Sequence, residues 1–329
     1  MSDPTTGDVR RRRARRRPSG PRPITPGHPF TTEDAEASAL SEFELRRAHR
    51  SVFRGAYVPR NVPLTAAVLA QAALLIAPPE SFISHHTAAR LWGGIVPHHP
   101  DIHVTYAGVR AQTAGIAAHR RKRSQVVVRR AGVRVTSPLQ TFLDLSQVLD
   151  LVDLVVLGDS LVRRKRFTVQ QLHAAAADLR GPHSRRARHA ASLVRKGVDS
   201  AMETRLRLLI VFAGLPEPEV NHRVHDADGR VLRRYDLSYL PYRLIIEYDG
   251  RQHAESDEQW LSDIRRDEQL DDERIRRLVV VSRDIYSTPE ATLGRITRAM
   301  QRQGMVAAVR SDEWRRHFPG RATDDRKNA

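Results

Sequence analysis

The 329-residue chain contains no cysteine. This absence excludes disulfide bridges, thiolate nucleophiles and cysteine-based zinc sites, and it fits a reducing cytoplasm. The N-terminal stretch MSDPTTGDVRRRRARRR lacks the apolar core of a signal peptide. The longest apolar stretch, Thr65 to Ala77, is shorter than the roughly 20 residues that a membrane-spanning helix needs. We therefore expect a soluble, cytoplasmic protein without a membrane partner.

Acidic residues are scarce relative to basic ones: 38 Asp and Glu stand against 55 Lys and Arg, which gives a net charge of +17. Seven arginines between Arg10 and Arg17 contribute part of this charge, and +10 remains without them. A basic excess of this size favours a polyanionic partner, of which nucleic acid is the commonest. A GC-rich genome that favours arginine, or an acidic membrane surface as partner, would account for the same composition.

The length suggests two or three domains. Shifts in composition and in hydrophobic periodicity predict their boundaries. The segments are a disordered basic arm (1–28), a winged helix-turn-helix (29–62), a mixed α/β middle domain (63–180), a basic helical connector (181–198), an α/β domain (199–309) and a polar tail (310–329). The arm has too few apolar residues to form a buried core. It either binds phosphates non-specifically or is an unselected tail.

Residues 29–62 predict two short helices followed by a two-stranded wing. Thr31 or Thr32 would cap the first helix, and Ser41 with Glu44 has the spacing of a capping box for the second. The wing follows from VFRGAYVP, which alternates apolar and polar residues around a glycine.

Arginines are the candidate DNA contacts of this winged helix. Arg46, Arg47 and Arg50 would line the exposed face of the second helix, with Arg54 in the wing. The same pattern also fits an ordinary two-helix packing element with solvated arginines.

The C-terminal domain places acidic residues where a buried strand should end. The segment RLIIEYDGRQH (243–253) follows another strand, and a turn around Leu240 to Tyr242 would put Asp236 opposite Glu247. Because strand side chains alternate, Asp249 shares a face with Glu247, and three carboxylates converge. Opposed like charges destabilise a hairpin unless one is protonated or a cation neutralises them. A hard ion such as Mg²⁺ suits these oxygens; alternatively, the acids pair with nearby arginines at a solvated sheet edge.

The C-terminal motif also resembles a known family. The block YDLSYLPYRLIIEYDGRQH, followed by DIRRDEQL and RRLVVVS, is similar to nuclease-like domains related to very-short-patch-repair endonucleases, of the PD-(D/E)XK superfamily. The match covers roughly residues 199–300 and implies a restriction-endonuclease-like α/β/α core. The pattern falls on these residues: Asp236, Glu247, Asp249, Gly250, His253, Asp263, Arg266 and Leu270. The stretches VFRGAYVP, SHHTAARLWG and TSPLQTFLDL resemble actinobacterial proteins with an AbiEi-type antitoxin-like winged-helix region.

This resemblance implies that Asp236 and Glu247 ligate Mg²⁺ or Mn²⁺, with Asp249 beside them. Asp249 stands where many superfamily members carry a water-orienting lysine. His253 would then serve as general base or phosphate contact. Glu203 either completes the site or only caps its helix, since it lies three residues after a serine.

Arg266 is either a phosphate contact or the surface partner of Asp263.

Two functions follow from the sequence. The first is a Mg²⁺-dependent DNA endonuclease, which would nick or cut both strands according to whether it acts as a monomer or a homodimer. The second is a DNA-binding transcriptional regulator or antitoxin-like protein with an inactive nuclease-like domain, which the missing lysine favours.

Overall fold

A computed structural model describes residues 20–106, 112–121, 125–226, 228–250, 268 and 270–320. The chain divides into two compact units, Met1–Ile83 with Pro100–Val135 and Ser84–His99 with Thr136–Ala329. Residues 63–180, predicted as one middle domain, are therefore shared between the two units. Helices and mixed sheets occur together, which confirms the predicted α/β class. None of the described helices combines the length and the apolar character needed to cross a bilayer.

The first unit begins with two short helices and a small sheet. Its elements are β1 (Phe30–Thr31), α1 (Thr32–Ala37), α2 (Glu42–Ala48), β2 (His49–Phe53) and β3 (Ala56–Pro59). The strands form an antiparallel sheet in the order β1-β3-β2. Thr31 caps α1, and Ser41 caps α2 through a capping box with Glu44. The predicted helices and wing are confirmed, with β1 as an additional strand.

A five-stranded sheet completes this unit. It consists of β4 (Phe82–Ile83), β5 (Ile102–Tyr106), β6 (Ile116–Arg120), β7 (Val127–Arg130) and β8 (Val133–Thr136), in the order β6-β5-β4-β8-β7. The preceding helix, α3 (Ala66–Ile76), packs against β5 and is capped by Thr65. Of the predicted basic arm, residues 1–19 lie outside the described residues. Within its remainder, the Arg22 N–H donates to Asp34 at 2.7 Å.

The second unit starts as a helical bundle. Its helices are α4 (His85–Trp92), α5 (Pro138–Leu145), α6 (Leu151–Arg163), α7 (Val169–Asp178), α8 (Ser184–Leu193) and α9 (Ala201–Phe212). Eleven of the thirteen residues of α6 are buried, so this helix is the centre of the bundle. The basic segment 181–198 is helical as predicted, but α8 packs on α6 and α7 through its alanines rather than serving only as a connector.

A buried ion pair fixes α9 within this unit. Arg207 is fully buried, and its Nη2 lies 3.2 Å from the Asp159 carboxylate of α6. The same nitrogen donates to the Leu193 carbonyl at 2.8 Å, and Nη1 donates to Glu217 at 3.1 Å. A charge removed from water in this way is tolerated only because it is paired and hydrogen-bonded.

The remaining elements form a four-stranded sheet and its flanking helices. The strands are β9 (Glu219–His225), β10 (Val231–Tyr239), β11 (Leu244–Tyr248) and β12 (Arg276–Val280), followed by α10 (Ser282–Tyr286), α11 (Pro289–Arg302) and α12 (Glu313–His317). The sheet order is β12-β11-β10-β9, antiparallel except for the parallel pair of β11 and β12. The mixture of helices and strands agrees with the α/β domain predicted for residues 199–309.

The polar tail predicted from residue 310 onward begins instead with structured chain. Trp314 in α12 and Phe318 just after it are buried, with 3% and 4% of their surface exposed. The helix is only five residues long and most of its residues are charged, so its sequence shows no apolar periodicity from which an amphipathic turn could be predicted. Residues 321–329 lie outside the described residues.

Candidate functional site

Three acidic side chains of the C-terminal sheet line one cleft. Leu237 of β10 pairs with Ile246 of β11, and continuing this register places Asp236 opposite Glu247. Both residues line a cleft of about 590 Å³ together with Asp249, which immediately follows β11. The predicted hairpin and the shared location of the three carboxylates are therefore confirmed.

The local sequence produces this arrangement through a tight turn. Leu240–Tyr242 form a single 3₁₀ turn with Pro241 at its start, and Arg243 adopts a left-handed conformation with φ of 52°. Leu244, Ile245 and Ile246 are fully buried and hold β11 in the core. Alternation then carries Glu247 and Asp249 to the same side at the strand end.

Asp236 and Glu247 have different surroundings in the cleft. The Asp236 carboxylate accepts a hydrogen bond from the Tyr248 N–H at 3.1 Å, which ties it to the neighbouring strand. Glu247 is 9% exposed. Arg277 of β12 reaches within 3.9 Å of the Glu247 carboxylate. The cleft therefore holds at least one guanidinium beside its acids.

Other arginines that could neutralise the cleft bind other acids. Arg233 donates to Glu273 at 2.7 Å, and Arg234 lies 2.6 Å from the Asp199 carboxylate. Both arginines still line the cleft. The alternative drawn from the sequence, that the acids pair with nearby arginines, holds for Glu247 through Arg277. The described contacts of Arg233 and Arg234 are with other acids, and Arg251 lies outside the described residues.

Of the two roles that the sequence left open for Glu203, the described contacts show the helix cap. Its N–H donates to Ser200 Oγ at 3.1 Å, and its carboxylate accepts from the Asp199 N–H at 3.0 Å. These contacts cap the start of α9. Burial raises the pKa of Glu203, and the negative charge of Asp236 raises this pKa further. Glu203 is therefore a helix cap that also lies within electrostatic reach of the cleft.

Sequence reasoning missed Asn221 of β9. Its backbone has φ of 54°, and its Nδ2 donates to the Gly197 carbonyl and, at 2.9 Å, to the Asp199 carboxylate. His222 pairs with Tyr235 and Val220 pairs with Leu237, so Asn221 lies across from Asp236. The sequence feature that could have drawn attention to this residue is an asparagine inside a strand, where that residue type is disfavoured.

The donor set of the cleft consists of carboxylate oxygens, which fit a hard divalent cation such as Mg²⁺ or Mn²⁺. Among the described residues, no three acidic side chains place their oxygens all within 4.8 Å of one another. Mg²⁺ commonly binds proteins through only one or two carboxylates and retains several waters. Asp236 and Glu247 are the residues that could hold such an ion, with Asp249 in the same cleft.

Several predicted site residues lie outside the described residues, namely His253, Asp263 and Arg266. Leu270, the last position of the same pattern, is buried in a cluster with Tyr235 and Ile245. It therefore has a structural role in the core of the domain.

The candidate DNA contacts in the first unit divide into two groups. Arg46, Arg47 and Arg54 are exposed, and Arg46 pairs with Glu42 at 2.5 Å. The prediction that Arg50 lies on the second helix is wrong. That helix ends at Ala48 because the backbone becomes extended at the next residue, and Arg50 belongs to β2, where it is partly buried and donates to the Val62 carbonyl.

No family model matches the chain. Similar proteins include uncharacterized protein Rv2248 of Mycobacterium tuberculosis strain H37Rv and uncharacterized protein MT2308 of strain CDC 1551 / Oshkosh. Each is 27% identical over 222 residues, which cover 67% of this chain and 81% of the relative. The names of these relatives state no activity, so the function proposed below is argued from the residues of the cleft.

Proposed function

We propose that this protein is a DNA endonuclease that depends on Mg²⁺ or Mn²⁺. The observation that carries the proposal is the pair Asp236 and Glu247, which lie on opposing strand positions in one cleft. A divalent ion bound there would supply a water nucleophile of lowered pKa and would polarise a phosphoryl oxygen. Asp249 lines the same cleft and adds a third carboxylate, beside the guanidinium groups of Arg233, Arg234 and Arg277.

The protein groups around this pair have complementary roles in the proposal. Asp236 is oriented by the Tyr248 N–H, so its carboxylate is preorganised before any cation binds. Arg277 and Arg234 line the same cleft and supply positive charge to a phosphate that approaches it. Glu203, whose pKa is raised, would hold a proton more readily than an ordinary carboxyl.

The exposed arginines of the winged helix and the net charge of +17 support DNA as the substrate. Phosphate contacts of this type give affinity without sequence preference. The proposal therefore assigns DNA binding to Arg46, Arg47 and Arg54 and hydrolysis to the cleft.

The second candidate is a DNA-binding regulator, or an antitoxin-like protein, whose nuclease-like domain is inactive. The position of Arg277, 3.9 Å from the Glu247 carboxylate, favours this alternative. A guanidinium beside the carboxylate competes with a metal ion for the same negative charge.

Nicking of supercoiled plasmid in the presence of Mg²⁺ or Mn²⁺ tests the two candidates. We expect nicking by the unaltered protein and its loss in Asp236→Asn and Glu247→Gln, which preserve side-chain shape. Asp178→Asn is the control, because Asp178 is an exposed acid at the end of α7. DNA binding without cleavage under either ion would reject the endonuclease and favour the regulator.

A further inference from the structure

A second cavity adjoins the acid cleft in the C-terminal sheet. The strand β12 is the edge strand of this sheet, and a cavity of about 500 Å³ lies along it. Arg274, Arg276 and Arg277 line this cavity together with one acid, Asp271. Arg277 and Val279 also line the cleft that contains Asp236 and Glu247. The two cavities therefore share a wall formed by β12.

The charge of this second cavity is opposite to that of the carboxylates next to it. Three guanidinium groups line it, against the single carboxylate of Asp271. Arg274 and Arg276 are exposed, and neither forms an ion pair with an acid in the part of the chain that the structure describes. Arginine binds phosphate through two parallel hydrogen bonds, so a cluster of guanidiniums without countercharges suits a phosphate group.

A turn before β12 fixes where these arginines lie. The Arg274 N–H donates to the Asp271 carbonyl at 2.9 Å, and the Ile275 N–H donates to the Leu270 carbonyl at 2.8 Å. Together with the left-handed Arg274, which has φ of 53°, these bonds form a Schellman motif. Leu270 is buried, and Ile275 packs against the cluster that contains it. The core of the domain therefore anchors the turn that presents Arg274 at the cavity.

Arg277 connects this basic cavity to the acids. In the parallel pair of β11 and β12, Arg277 pairs with Ile245 and Val279 pairs with Glu247. Because side chains alternate along a strand, Arg277 lies on the same face as Glu247. Its guanidinium is 3.9 Å from the Glu247 carboxylate, which is beyond hydrogen-bond length, and its side chain is 22% exposed. A contact of this kind is weak, so Arg277 can exchange it for a phosphate.

We propose that Arg274, Arg276 and Arg277 form a subsite for a backbone phosphate of the DNA, next to the phosphate that is cleaved. In the metal-free protein Arg277 supplies the countercharge of Glu247. When a divalent ion binds beside that carboxylate, Arg277 turns to the DNA phosphate instead. This inference rests on the proposed function, because it presupposes a cation and a DNA strand at the cleft.

The salt dependence of DNA binding by the full-length protein, in metal-free buffer where no cleavage occurs, tests the subsite. Arg274→Gln and Arg276→Gln each remove one charge from the cavity. We expect the slope of the logarithm of the binding constant against the logarithm of salt concentration to fall by about 1 in each. Arg185→Gln is the matched control, because Arg185 is an exposed arginine of α8 that lines neither cavity. This control should leave the slope unchanged.

Mn²⁺ binding followed by electron paramagnetic resonance, without DNA, tests the exchange at Arg277. Arg277→Met removes the charge that competes with the ion, so we expect the Mn²⁺ affinity to rise by up to about 5-fold. Arg277→Lys keeps the charge and should bind Mn²⁺ much as the unaltered protein does. An unchanged or lower affinity in Arg277→Met, or an equal rise in both variants, would overturn the exchange.

The remaining outcomes distinguish this inference from the function on which it rests. If the unaltered protein nicks plasmid with Mn²⁺ while Arg274→Gln and Arg276→Gln keep its salt slope, the endonuclease stands and the phosphate subsite is rejected. If the unaltered protein binds no Mn²⁺, the metal-dependent function fails and the exchange at Arg277 fails with it. If the two variants lose binding to phosphatidylglycerol vesicles but not to DNA, the ligand is a lipid headgroup and the DNA subsite is overturned.

Discussion

Replacing Arg207 with methionine should destabilise the second unit strongly. The guanidinium is fully buried and bonds to Asp159, Glu217 and the Leu193 carbonyl. Methionine fills a similar volume but leaves the Asp159 carboxylate, which is 2% exposed, without its countercharge. Removing one partner of a buried ion pair costs about 3–5 kcal/mol. Asp159 keeps hydrogen bonds from the Arg195 N–H and the Thr204 hydroxyl, so we expect about 3 kcal/mol, the lower end of that range.

Tryptophan fluorescence during urea unfolding measures this loss directly. Trp92 and Trp314, the two tryptophans among the described residues, belong to the second unit, so their signal follows the unit that contains Arg207. Arg315→Met is the matched control. Arg315 pairs with Glu290 at 2.8 Å, but the two side chains are 51% and 71% exposed. Exposed ion pairs contribute about 0–1 kcal/mol, so the control should shift the midpoint little.

The effect of Arg207→Met should also depend on pH. Burial raises the pKa of Asp159, and Arg207 opposes this shift. Without Arg207 the pKa of Asp159 rises further, so the variant regains stability relative to the unaltered protein as the pH falls and this carboxyl becomes protonated. A loss below about 1 kcal/mol at neutral pH, or a loss that does not shrink in acid, would refute the account of a buried, uncompensated charge.

Two further predictions concern the candidate sites. The pKa of Glu203 is raised in the folded protein, so its stabilising contribution is present below the ordinary carboxyl pKa and is lost as pH rises through the raised value. Glu203→Gln should therefore raise the melting temperature of the metal-free protein at neutral pH, and this gain should vanish in acid. The Mn²⁺ affinity of the variant should fall. An unchanged melting temperature at neutral pH would contradict the raised pKa of Glu203. Arg47→Ala and Arg54→Ala should each reduce the slope of the logarithm of the DNA-binding constant against the logarithm of salt concentration by about 1, measured in mobility-shift titrations. Arg50→Met should change that dependence less, since Arg50 already bonds to Val62, and equal effects of all three would argue against the winged-helix surface.

The sequence predicted those features of the molecule that depend on neighbouring residues. The proline-containing turn after β10 and the alternation along β11 are local, and together they fix the register that sets Asp236 opposite Glu247. The helix starts at Thr31 and Ser41 were equally readable, because a capping side chain bonds to a backbone group only three residues away.

Where a helix gives way to a strand is decided by pairing with distant residues. Arg50 was predicted on α2 from its spacing, yet it pairs with Val58 across the wing and so belongs to β2. The amphipathic turn around Trp314 was overlooked for a related reason. Five residues are too few for a periodic signal, and only packing against the rest of the unit buries the indole.

The amino-acid sequence by itself determined the α/β class, the hairpin and the acids at its end. Only the tertiary structure decided that Glu203 lies within reach of Asp236, that Arg277 lies beside Glu247, and that the Asn221 amide bonds to Asp199. The physical reason is distance along the chain. Contacts between elements that are far apart along the chain depend on how a sheet and its helices pack, and residue types and local spacing do not specify that packing.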